Sequence, residues 1–363
     1  MKLTTDNGQQ TTDNSQRTTV NGQQSTDDGQ KTIDNGKEMR LVGFIKNWML
    51  PIAMLAGVAS YYIYVNIPAL DGTHQVVGRL IGYVQPALLF CMLFVSFCRM
   101  SVRELKPRAW MLKLLAIQVV TFGTLGLLIV WMPDVGSRVV IESAMVCMIC
   151  PTATAAAVVT SKLRGNSNVV VSYTCLINLA VSLLVPAMVP FLHEGSMPGM
   201  TFELSFLVIL AKVFPLLILP LVAAWFVRHL FPVFHAFILR QTDLAFHLWA
   251  VSLALAIGMS VKALEHSEES VENMVGIAVV SLVCCLAQFG LGRLIGRKHG
   301  EAVAGTQSLG QKNTVFAIWM GYTFLNPVTA LAGGFYSIWH NVVNSWQLWR
   351  ERKRMDEGKG DAA

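Results

Sequence analysis

From position 41 to position 349 the chain alternates apolar runs, each about 20 residues long and so of membrane-spanning length, with short polar connections. No other feature limits the fold as severely. Wound as an α-helix, such a run matches the roughly 30 Å hydrocarbon thickness of a bilayer. Lipid offers no partner to backbone N–H and C=O groups, so runs of this kind fold as helices that satisfy their own backbone. They lie near 48–67, 79–98, 109–132, 139–162, 169–192, 203–228, 244–264, 274–296, 302–325 and 328–349. Only Asn326-Pro327 separates the last two. Composition agrees: 14% of the 363 residues are charged, against about 25% in soluble domains. The expected fold class is all-α and integral to the membrane, with ten transmembrane helices.

Charge orients the spans. Lys37, Arg40, Arg103, Lys106, Arg108, Lys162 and Arg164 fall on one side. Arg228, Arg240, Arg297, Lys298 and the stretch RERKR at 350–354 continue it. The other side carries Arg79 and Arg138 and is otherwise acidic, as in EHSEESVEN at 265–273. Basic loops stay in the cytoplasm, so both termini are expected there, in a multi-pass protein of the cytoplasmic (inner) membrane.

Residues 4–38 repeat a polar seven-residue unit, from TTDNGQQ to TIDNGKE. The period lacks the apolar positions of a coiled-coil seam. Residues 1–40 are therefore expected to form a disordered tail, and 350–363 a basic cytoplasmic one. The net charge of +6 is dispersed over short loops without a basic patch, so no nucleic-acid partner is expected. The seven cysteines fall inside spans and read as small buried hydrophobes. No nucleophile–base pair or metal set falls at one depth, so neither an enzyme nor a resident cofactor is expected.

Ten spans divide into two sets of five that run oppositely through the membrane. NWMLPIAML in span 1 resembles AKVFPLLILP in span 6, which sets Pro51 against Pro215. The same offset carries Pro151, in span 4, to the neighbourhood of Asn313 in span 9. Pro151 has no N–H to donate and should break its helix. In span 9 the segment GTQSLGQKNT places Gly305, Gly310 and a polar cluster where lipid cannot solvate them. Inverted repeats with interrupted helices at matching positions point to a secondary transporter's midplane site. Lys113, Lys162, Lys212 and Lys262 sit near enough to span ends to reach the interface. Lys312 does not, and a midplane lysine costs roughly 2.5–3.5 kcal/mol to insert, which marks it as functional.

Three segments, CPTATAAAVVTSKLRGN (150–166), GQKN (310–313) and GGFYSIWHNVVNS (333–345), resemble in order the motifs of the bile acid:sodium symporter family. The resemblance covers residues 41–349. It implies a panel of spans 1, 2, 6 and 7 against a core of spans 3–5 and 8–10, with broken spans 4 and 9 crossing at the sites. It implies transport of an organic anion by alternating access, with Thr154, Asn313, His340 and Asn341 lining the substrate cavity. Gln118 matches a glutamine that helps coordinate sodium. Thr174 and Asn178 fall where the family has a serine and a threonine.

Other sodium positions depart from the family. Its Ser-Asn pair falls on Ala156 and Ala157, its span 9 glutamate on Ser308, and the following glutamine on Lys312. An ammonium there would repel sodium and could donate to Gln118, Ser308 or broken-helix carbonyls. A fixed charge gives uncoupled transport of the anion. A lysine that releases and rebinds a proton each cycle gives proton coupling, with Glu142, His247 and His340 as the other titratable groups within spans. Two other functions stay open: a sodium/proton antiporter, disfavoured by a span 5 without Asp or Glu, and a non-transporting membrane sensor of such anions.

Overall fold

The computed structural model describes residues 49–360 except 101–104, 133, 135, 193–199 and 242, with side chains described to Glu357. The expected N-terminal tail, 1–40, lies outside the described residues. Ala53–Ala363 form one compact unit.

The described chain is helical throughout. After α1 (Met49–Val65) and a 3-10 turn at Pro68–Thr73 come α2 (His74–Cys98), α3 (Met111–Trp131), α4 (Arg138–Ile149) and α5 (Ala155–Lys162). Then follow α6 (Ser167–Leu192), α7 (Phe202–Leu230), α8 (Pro232–Arg240), α9 (Leu244–Glu265) and α10 (Val271–Arg297). The last are α11 (Ala302–Gly310), α12 (Thr314–Phe324), a 3-10 turn at Pro327–Thr329, and α13 (Ala330–Gly360). Among the described residues, six segments are each long and apolar enough to cross a membrane: Pro68–Cys98, α3, α6, α7, α9 and α10. The chain is thus a multi-pass membrane protein.

The expected spans 139–162 and 302–325 each appear as two short helices with an extended break between them. The last connection holds because Asn326 caps the following turn, its side chain accepting from the Val328 N–H at 3.0 Å. Toward the C-terminus the last helix continues past the expected span. Helix α13 runs on to Gly360, where Lys353 pairs with Glu357 one turn later at 3.8 Å. Arg350 lies over Trp346 and Lys353 over Trp349, contacts of the kind that prolong an exposed helix.

Lipid tails are as apolar as leucine, so helices in a membrane associate through close packing rather than exclusion from water. Glycines make that approach possible here. A Cβ on Gly305 would lie 2.4 Å from the Gly292 carbonyl oxygen, and one on Gly292 would lie 2.3 Å from that of Gly305. Backbone therefore meets backbone where α11 packs on α10. Gly57 makes the same kind of contact on α9, where an added Cβ would sit 2.4 Å from the Ala254 oxygen.

Helix α2 packs on α7 and α9, while α3 packs on α4 and α6. Helix α10 touches α4, α11 and α13. A cluster that includes Cys147, Met148, Ile277, Cys285, Phe289 and Tyr336 joins α4, α10 and α13. It fixes the frame in which the two breaks meet.

Candidate functional site

Helix α4 ends at Ile149 because Pro151 cannot continue it, and Cys150 turns into extended backbone with ψ 139°. Helix α11 ends at Gly310, with Gln311 extended. The two extended pieces pair. Thr152 and Lys312 form an isolated antiparallel bridge. The Ala153 N–H donates to the Gln311 carbonyl and the Asn313 N–H to the Pro151 carbonyl, each at 2.8 Å. The two interrupted helices thus supply each other's missing backbone bonds.

Side chains take up the helix-end carbonyls that remain. Gln118 on α3 points its amide N–H groups at the end of α4, 2.8 Å from the Met148 oxygen and 3.3 Å from that of Cys150. Its own oxygen accepts from the Tyr173 hydroxyl of α6 at 2.5 Å. In the other half of the chain Gln288 on α10 donates to the Cys147 carbonyl at 3.1 Å and to the Tyr336 hydroxyl at 3.2 Å. Tyr336 in turn donates to the Gly310 carbonyl that ends α11, at 2.8 Å. Thr152 reaches the Ser308 carbonyl at 2.6 Å. A buried carbonyl left without a donor costs about 1–3 kcal/mol, so this network is what lets the breaks lie inside the protein.

Lys312 sits at the centre and is 1% exposed. Its Nζ makes no hydrogen bond. The expected donation to Gln118, Ser308 or helix-end carbonyls is not made: the Gln118 oxygen accepts from Tyr173, and the Ser308 and Gly310 carbonyls accept from Thr152 and Tyr336. Next to it Asn313 caps α12, its Oδ1 accepting from the Phe316 N–H at 3.2 Å, while its Nδ2 has no partner. Ser308 Oγ and Gln311 Oε1 are likewise buried and unpaired.

The remaining predicted residues are placed less directly. Thr154 stands at the start of α5, half-buried, without a side-chain cap bond. Thr174 is buried and turns back to the Val170 carbonyl of its own helix. The Asn178 amide is buried with both its polar atoms unpaired. His340 is buried one turn beyond Tyr336, whose ring it meets edge-on with centroids 5.9 Å apart. Asn341 donates to the Ser337 carbonyl, again within its helix. The bridge thus joins Ser308, Lys312 and Asn313 directly, and Gln118 joins them through the end of α4. Tyr173, Gln288 and Tyr336 join the site as well, and the one signal of them in the sequence is that each is a polar group in an apolar run that has to find a partner.

A separate cavity of about 1400 Å³ opens elsewhere in the molecule. It is walled by the ends of α1, α9 and α12, the first half of α2, and Lys212 of α7. Gln85 and Pro86 of α2 and Ala254 of α9 are part of the wall. Arg79, Lys212 and Lys262 line it, with Tyr64, Trp319 and Tyr322. None of the site residues singled out from the sequence is on its wall. Lys212 is not at a helix end, since it lies about three turns into α7 and its amine sits 5.8 Å from the centre of the Phe324 ring.

No protein-family model matches the chain, and no curated protein matches it.

Proposed function

We propose that this chain is a secondary transporter of an organic anion, working by alternating access and without sodium coupling, of the type the bile acid:sodium symporter resemblance implies. The observation that carries this reading is the antiparallel pairing of the two interrupted helices around a buried, unpartnered Lys312. Unwound backbone at membrane depth is otherwise hard to account for, because it is tolerated only where protein or a watery cavity replaces lipid. Secondary transporters use such discontinuous helices to bind solute and coupling ion.

An inverted ten-span repeat has support in a second relationship. Gln118 bonds to Tyr173 in the first half and Gln288 to Tyr336 in the second. Counted along ten spans, these are a glutamine in the third span of each half bonded to a tyrosine in the fifth. Each pair braces a broken helix.

Lys312 supports the absence of sodium coupling. An ammonium at the crossing repels a sodium ion, and Gln118, the one matching sodium position, has its carbonyl oxygen occupied by Tyr173. Asn313, with its free Nδ2, and the buried His340 are the side chains assigned to the solute, and Thr154 and Asn341 complete the set. The basic loops orient both termini to the cytoplasm.

The test is uptake by proteoliposomes of a labelled cholate-type anion. It should proceed equally with sodium or choline outside, and fall by an order of magnitude or more in Asn313→Ala and His340→Ala. Unchanged uptake in both variants, for every anion the protein accepts, overturns the assignment. A paired experiment with an inward proton gradient separates proton-coupled uptake from facilitated diffusion.

A further inference from the structure

We infer that a seam of polar side chains between α11 and α13 is a proton path, joining the crossing that holds Lys312 to the cytoplasmic end of α13. The inference rests on the transport reading and gives it a coupling route in place of sodium.

The pattern on α13 is the first argument. Ser337, His340, Asn344, Gln347 and Glu351 recur at alternating steps of three and four residues, so they form one stripe along the helix. The opposite face carries Val342, Trp346 and Trp349, all exposed. Ser337, His340 and Asn344 are buried, and Gln347 is half-buried. Glu351 reaches the surface, with 19% of its side chain exposed. The stripe therefore grades from the interior to the solvent.

Across from it stand Gln307 of α11 and Gln311 just past the end of that helix, one turn apart. Hydrogen bonds fix how the two sides face. Next to the crossing Tyr336 donates to the Gly310 carbonyl at 2.8 Å. About two turns along α13, Gln307 donates to Asn344 at 3.0 Å and to Gln347 at 2.9 Å. His340 stands one turn from Tyr336 and one turn from Asn344, between those bonds. Lys312 lies two residues beyond Gly310.

Polar residues that only held two membrane helices together would pair with one another. Along this seam Gln307 Oε1, Gln311 Oε1, Ser337 Oγ and His340 Nδ1 are buried and make no hydrogen bond. Such groups are costly to bury, and they are kept where water or a migrating proton meets them. A carboxylate at the mouth, an imidazole midway and an amine at the inner end are the titratable parts of an intramembrane proton relay.

The step balances without any other reactant. The Lys312 ammonium gives its proton to the seam and becomes the free amine. His340 takes a proton at one ring nitrogen and loses one from the other. The Glu351 carboxylate receives it and passes it to cytoplasmic water. Asn344, Gln347 and Gln307 donate and accept without titrating, which keeps intervening water in line. Other titratable or charged groups flank the route: the thiols of Cys147, Cys150 and Cys284 beside Lys312, and the Tyr336 phenol beside His340. At the cytoplasmic end Arg354 lies 3.9 Å from Glu351, while Glu301, at the start of α11, is held by Arg108 at 2.6 Å.

The test uses proteoliposomes loaded with the pH dye pyranine, and ³H-cholate as the anion. An inward proton gradient should drive cholate in and acidify the lumen with it. Exchange of internal for external cholate at equal pH needs no proton release, because the carrier returns loaded. Asn344→Leu should therefore slow gradient-driven uptake and lumen acidification by an order of magnitude or more, and leave exchange within about twofold. Asn344→Ser, which keeps a polar group in the seam, should restore both. Glu351→Gln, at a partly exposed position, should act like Asn344→Leu, and it gives the reading should the leucine variant not yield monodisperse protein. Gradient-driven uptake equal in the parent and both variants overturns the inference. So does uptake by the parent that carries no proton, or a loss of exchange as large as the loss of uptake. Those results leave the transport reading standing, whereas a parent protein with neither uptake nor exchange overturns that reading and the inference with it.

Discussion

Thr152 and Lys312 face each other across a single antiparallel bridge, from opposite halves of the chain and with no strand on either side. The bridge is a local solution to a global problem. Two helices stop inside the protein, and the groups they expose can be satisfied only by each other and by a few side chains.

Thr152→Val tests that solution with little change of shape. It removes the hydroxyl that donates to the Ser308 carbonyl and leaves a buried acceptor unpaired. The expected loss is about 1–3 kcal/mol, seen as a lower thermal unfolding midpoint in detergent. Thr152→Ser keeps the donor and should stay near the parent protein. Equal stability of the valine and serine variants would mean that the bond contributes nothing.

Lys312→Met should behave in the opposite way for stability. The parent side chain is fully buried and its ammonium has no hydrogen bond. Replacing an uncompensated buried charge with an apolar chain of similar length removes a desolvation cost, and gains of about 1–4 kcal/mol accompany such changes in buried ionic sites. Uptake should nevertheless collapse if the lysine stands in for a coupling ion. A variant that is more stable yet inactive is the expected trade between stability and function. A destabilised Lys312→Met would instead reveal a partner for the amine in the resting protein.

Sodium should not stabilise the folded protein. A ligand bound only to the native state adds about 2.7 kcal/mol at a hundred times its Kd. Unfolding midpoints with sodium exchanged for choline at constant ionic strength should therefore coincide. In Lys312→Gln, which restores the amide of the family motif, a small sodium-dependent rise is the informative outcome. A clear rise in the parent protein would contradict the replacement of the ion by Lys312.

Much of this architecture was legible in the sequence, for identifiable reasons. Pro151 forecasts its break because it lacks an N–H, and Gln311-Lys312-Asn313 forecasts the other because lipid cannot solvate three polar side chains. What could not be read was the pairing. Nothing in Gln118 names Tyr173, far along the chain, as its partner, because the choice depends on how α3 and α6 pack. The cavity is invisible for the same reason, since five helices contribute to its wall. The extension of α13 left a trace in the alternating charges of RERKRMDE, spaced for pairing along a helix.

Gly305 carries the last prediction. Its backbone meets that of Gly292 so closely that a Cβ on either would fall well inside contact distance of the other's carbonyl oxygen. Neither oxygen is the end of a flexible side chain, so relief requires α11 to move away from α10. That movement would draw Gly310 from the Tyr336 hydroxyl and Ser308 from Thr152, because both acceptors lie at the end of α11. Gly305→Ala should thus cost about 1–3 kcal/mol, as overpacking does, and the loss should be coupled to the crossing. In a double-mutant cycle with Tyr336→Phe the two losses should fall short of their sum, since the first change already loosens the second bond. Gly290 is the control, because a Cβ there meets nothing within 4 Å, and Gly290→Ala should be neutral or slightly stabilising within its helix. Strict additivity between Gly305→Ala and Tyr336→Phe would show that the α10–α11 contact and the bridge between the broken helices are independent.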